Sequence, residues 1–72
     1  MVEEFIELEE FNGWYLHDDN KKLYYAGLLP NGDVKTTDKY EESYIFYDKE
    51  LSWMIMHLLN KLGYSFTVHD EN

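Results

Sequence analysis

The hydrophobic pattern changes period near the middle of the chain. Between Glu3 and Phe11, Ile6 and Leu8 alternate with acids, as on a half-buried strand. Val2, Phe5 and Leu8 would equally stripe a short helix; a strand over 4–11 is the expectation. Asn12-Gly13 then lies between Phe11 and Trp14, the residue pair that a two-residue hairpin turn prefers. Trp14 to His17 and Leu23 to Leu29 read as further strands, joined through Asp18-Asp19-Asn20, whose short polar side chains bond their own backbone in turns. Pro30-Asn31-Gly32-Asp33 is the clearest turn, since Pro presets φ and Asn-Gly supplies positive φ. Val34 to Thr37 continues as a short strand, so the first half is an antiparallel meander.

The second half begins with the polar segment Asp38 to Ser43, suited to one helical turn, and a short aromatic β run over Tyr44 to Tyr47. Asp48 is placed as an N-cap and Glu50 falls in the first turn, where the helix dipole favours a negative charge. The helix is expected to run to about Leu62, with Lys61 in its last turn and Gly63 just beyond it. Tyr64 to His69 alternates as a closing strand. The fold class is α+β: an antiparallel β-meander sheet, one long helix in the C-terminal half packed on it, and a closing strand.

At about 100° per residue, Leu51, Ile55, Leu58 and Leu62 share one stripe, flanked by Met54 and Leu59, and this stripe is the expected core face. Trp53, Met56 and Asn60 fall on the opposite side. An exposed Trp53–Met56 pair reads as a contact site; the alternative is that the aromatic segment Tyr44–Tyr47 folds over it. Tyr24 and Tyr25, adjacent on a strand, must face opposite sides of the sheet.

Length and charge sharpen this picture. Seventy-two residues, 1–72, make a single domain, and a chain this small buries only about 60% of its unfolded surface. With no Cys to staple it, it depends on good packing or on a partner subunit, a homodimer being one option. Net charge is -9, and the first twenty residues hold seven acids and no Lys or Arg. Four of the six lysines lie in 21–39. Such a field repels nucleic acid, whose nonspecific binding requires Lys and Arg on phosphates, so direct nucleic-acid binding is not expected. No apolar run approaches the ~20 residues of a membrane span, and the acidic N-terminus does not resemble a signal peptide; a cytoplasmic, non-membrane protein is expected.

Catalytic chemistry is sparse. There is no Cys nucleophile, Ser43, Ser52 and Ser65 lack an elbow-type Gly context, and the four glycines form no phosphate loop. His57 fits a polar helix face. His17-Asp18-Asp19 and His69-Asp70-Glu71 each set an imidazole beside carboxylates and would hold a divalent metal only if they met in space. Neither has the spacing of a known motif, and an acidic turn and a frayed acidic tail explain them more simply. No metal, no cofactor and no enzymatic activity are expected.

The acids themselves are the remaining signal. On a strand every second side chain shares a face, so Glu3, Glu7 and Glu9, or Glu4 and Glu10, would form rows of carboxylates. Small size, no Cys, strong acidity, many aromatics and a sheet-plus-helix plan together resemble phage-encoded host-takeover proteins. The chain is similar in character to DNA-mimicking inhibitors of uracil-DNA glycosylase, of restriction enzymes and of the bacterial sliding clamp. A clamp-binding Gln-x-x-Leu-x-Phe peptide is absent, since the chain has no Gln. The resemblance implies a noncatalytic inhibitor that blocks a basic, DNA-binding host protein in the host cytoplasm and so inhibits DNA replication or repair. Glu3, Glu4, Glu7, Glu9, Glu10, Asp18 and Asp19 are the candidate charges, and Trp53 and Met56 the candidate apolar contacts. The alternative is a small regulatory subunit that binds a protein by an apolar helix face, with the charge serving solubility.

Overall fold

The computed structural model describes residues 13–71. Among them, β1 (Trp14–Asp18), β2 (Leu23–Leu28) and β3 (Val34–Thr37) form the expected meander. A 3-10 turn (Tyr40–Glu42), a helix α1 (Lys49–Lys61) and β4 (Thr67–Asp70) follow. The sheet order is β3-β2-β1-β4, antiparallel throughout. The α+β class and the antiparallel sheet carrying one helix are as expected. The expected strand over 4–11, and Asn12 of the expected hairpin turn, lie outside the described residues.

The turns follow from their residues. Asp18 Oδ1 accepts the N–H groups of Asn20 and Lys21 at 3.0 and 3.1 Å, and Lys22 N–H closes back on Asp18 O at 2.8 Å. At the second turn Gly32 N–H reaches Leu29 O, and Gly32 alone takes a positive φ, +93°. Gly13 is needed for close approach: a Cβ there would sit 2.3 Å from Ile45 Cγ2 and 2.8 Å from Phe46 O.

The chain between β3 and β4 crosses one face of the sheet. Its aromatic part is a strap and not a strand. Tyr44 N–H bonds Tyr25 O at 2.9 Å, and Phe46 forms a single antiparallel bridge with Trp14. The strap covers Tyr25, whose ring stacks with Phe46 at 5.9 Å. The helix covers β1 and β4. Leu16, Tyr25, Phe46, Met56, Leu59 and Phe66 are the buried core, with Val34, Ile55, Tyr64 and Val68 packed against it. Tyr25 is buried while Tyr24 lies on the other face, as strand alternation requires.

The helix is rotated from its expected phase. Ser52, Met56 and Leu59 are its buried residues, whereas Leu51, Met54, Leu58 and Leu62 are exposed. Asn60 explains the rotation. Its amide nitrogen donates to Phe66 O at 3.1 Å and its carbonyl accepts Phe66 N–H at 2.9 Å. A residue expected to face water therefore ties the helix to the segment entering β4, and it brings Met56 inward on the same side. Ser52 can be buried because its hydroxyl donates to Lys49 O at 2.6 Å. The closing strand is also shorter than expected, starting at Thr67 instead of Tyr64.

Candidate functional site

Among the described residues, two surfaces outside the core carry candidate chemistry. The first is the outer side of the helix. Asp48 caps it, accepting the N–H groups of Glu50 and Leu51, and Lys61 lies in the last turn. Leu51, Met54, Leu58 and Leu62 recur at three- and four-residue steps and form one exposed apolar stripe, with Leu62 74% exposed. Trp53 is also exposed, at 44%, but on another side of the helix, its indole 6.0 Å from the His57 ring. A single exposed Leu is ordinary, but a row of four exposed apolar side chains along one helix face is not.

The residues singled out from sequence fare unevenly. Glu3, Glu4, Glu7, Glu9 and Glu10 lie outside the described residues. Asp18 is only 3% exposed, and its carboxylate is committed to the β1–β2 turn, so it does not present charge to a partner. Asp19 is exposed, and the hydrogen bond from His17 pulls its carboxyl below the usual carboxylate value. Trp53 stands at the surface; the aromatic strap does not bury it. Met56, expected on the outer face, is in the core at 6% exposure, and the exposed apolar stripe of the helix is Leu51, Met54, Leu58 and Leu62 instead. The leucines of this stripe were legible as apolar; their outward direction was not, because the Asn60–Phe66 hydrogen bonds turn the Met56 side inward.

The second surface is the sheet face opposite the helix. Tyr15 pairs with His69, and His17 with Thr67, across β1 and β4, while Tyr24 of β2 pairs with His17. Alternation sets these side chains on one face. Tyr15 stacks on His69 at 5.4 Å, His17 packs on Tyr24 at 4.5 Å, and the two imidazoles lie 5.9 Å apart. Tyr40 from the 3-10 turn leans edge-on over Tyr15 at 5.1 Å. Its hydroxyl donates to Glu71 Oε2, which pushes the Tyr40 phenol up to about 12. Burial, and then the neighbouring Tyr24 phenol, also raise the pKa of Tyr15.

The C-terminal acids are not frayed as expected. Glu71 N–H bonds Gly13 O and its Oε1 accepts Gly13 N–H, both at 3.0 Å, prolonging the β1–β4 ladder by one step. This ladder makes the two His-acid segments meet. His17 Nδ1 lies 2.7 Å from Asp19 Oδ1, and His69 Nε2 lies 3.9 Å from the same oxygen. Sequence reasoning saw both segments and missed their neighbourhood, because nothing local in the chain announces that β4 pairs with β1. Ser43 and Ser52, by contrast, donate their hydroxyls to the backbone carbonyls of Tyr40 and Lys49. No helix among the described residues is long and apolar enough to cross a membrane. Comparison of the chain with protein-family models, with curated proteins and with solved structures gives no match.

Proposed function

We propose that this chain is a noncatalytic acidic binding protein that docks on the basic surface of a nucleic-acid-handling protein and occupies it in place of DNA. The observation that carries the reading is the exposed stripe Leu51, Met54, Leu58 and Leu62 on a chain of net charge -9. The stripe supplies apolar area whose burial sets residence time, and the charge chooses a basic partner and speeds encounter. Glu3, Glu4, Glu7, Glu9 and Glu10, with Asp19, are the charges assigned to this role. The protein would act in the cytoplasm of a host cell, inhibiting DNA replication or repair, and the sliding clamp is a suitable first target.

The same stripe supports a second reading, a small regulatory subunit that docks by its helix while its acids serve solubility. Salt separates the two. The labelled chain is titrated into the clamp and other basic DNA-binding proteins, with and without competing duplex DNA. The first reading expects displacement by DNA and a loss of affinity of at least tenfold between about 50 and about 300 mM salt. It also expects loss of binding when the five N-terminal glutamates are changed to Lys. Salt-insensitive binding that Leu58→Lys abolishes selects the second reading. Absence of binding to every such protein at low salt overturns the first.

A further inference from the structure

We infer that His17, Asp19 and His69 form a binding site for a late first-row transition-metal dication, with Zn²⁺, Cu²⁺ and Ni²⁺ as the fitting ions. Their ligand atoms all lie within 4.8 Å of one another. In a tetrahedral zinc site with bonds of 2.0–2.2 Å, neighbouring donor atoms stand about 3.4 Å apart. The observed 2.7 Å from His17 Nδ1 to Asp19 Oδ1 and 3.9 Å from His69 Nε2 to that oxygen bracket this spacing. Side-chain shifts of about 1.4 Å or less therefore complete the geometry.

Two of the three ligands are held by rigid structure. His17 and His69 sit diagonally across the β1–β4 ladder, fixed by the pairs Tyr15↔His69 and His17↔Thr67. Such diagonal neighbours are within reach of long side chains. Tyr24 packs against the His17 ring and Tyr15 stacks on the His69 ring, which limits rotation of both imidazoles. Asp19 follows β1 directly in a turn shaped by Asp18. Binding costs two existing contacts: the His17–Asp19 hydrogen bond, whose ring proton the ion replaces, and the 2.8 Å contact of His69 Nε2 with Thr67 Oγ1. The donor set selects the ion. Two imidazoles and one carboxylate suit zinc, copper and nickel, whereas calcium and magnesium require oxygen ligands. A net charge of -9 raises the local concentration of any cation. Three protein ligands leave a fourth position for water or for a side chain of a partner.

The test is titration of the intact chain with ZnCl₂, followed by calorimetry and by histidine-ring ¹⁵N NMR. His57, on the helix and outside the cluster, serves as the internal reference. One ion per chain is expected, with the ring nitrogens of His17 and His69 shifting together and His57 unmoved. His17→Gln, His69→Gln and Asp19→Asn should each weaken zinc by at least about tenfold, and millimolar Mg²⁺ should not displace it. Far-UV circular dichroism verifies the fold of each variant, and the ring shifts of the unmodified chain decide where a variant fails to fold. Undiminished zinc binding in the folded His17→Gln/His69→Gln double variant overturns the proposal. So does a His57 shift in step with the other two, or no binding at ~100 μM zinc.

Discussion

Asn60 shows how one polar side chain sets the orientation of a whole element. It satisfies both backbone groups of Phe66, and Phe66 is almost fully buried. Asn60→Ala leaves a partly buried N–H and C=O without these partners, and an unsatisfied group costs about 1–3 kcal/mol. A loss of about 2 kcal/mol in urea unfolding is expected, with Asn60→Asp also destabilising because it keeps the acceptor and loses the donor. At this scale the sequence was informative about residue type and weak about direction. Asp18 and Asn20 were legible as turn residues, and Gly32 as the position of positive φ. Met56 was misplaced because helical periodicity ranks Leu51, Ile55, Leu58 and Leu62 as the more apolar stripe. A hydrogen bond to a residue six positions away has no periodic signature.

The helix ends behave as their residues dictate. Asp48 Oδ1 accepts Glu50 N–H at 3.0 Å and Leu51 N–H at 3.3 Å, and Gly63 takes φ +111° beyond the last turn. Asp48→Ala is expected to lower stability by about 1 kcal/mol, seen as a reduced midpoint in thermal unfolding with the helical signal of the folded state retained. Capping was legible because it depends on residues within one turn. The meander was legible for the same reason, being built from neighbouring strands and short turns. The aromatic strap was not: Tyr44 to Tyr47 has the composition of a strand, yet only Phe46 finds a bridge, with Trp14. The rings of Tyr44 and Phe46 pack on Tyr25. Composition reports β-propensity, and tertiary pairing decides whether a strand forms.

For the whole molecule, the charge has one consequence in partner choice and another in its alkaline limit. Tyr40 ties the 3-10 turn to Glu71 and through it to Gly13. Its phenol is raised from 10.0 to about 12 by that bond, so the folded state holds this proton more tightly than the unfolded chain does. The resulting stability is fully present below pH 10, declines as pH rises above it, and is lost through about 12. Tyr40→Phe should therefore flatten the loss of stability between pH 10 and pH 12, measured by urea unfolding across that range. Persistence of the full slope in Tyr40→Phe would assign the alkaline limb to another tyrosine. The acidity assigned to partner choice rests on composition and charge order alone, whereas the His17–Asp19–His69 cluster required knowledge that the sheet order ends β1-β4.

That sheet order also has a consequence in time. Trp14 pairs with Asp70, a separation of 70 − 14 = 56 residues, and β1 gains this neighbour only when the last strand exists. On a ribosome, the meander can form early, but Leu16 has no Val68 opposite it until β4 has left the exit tunnel. Closing so long a loop is entropically costly and slow relative to hairpin formation. A chain halted before Thr67 would therefore leave β1 without its β4 neighbour, and the β1–β4 edge of the sheet would stay open.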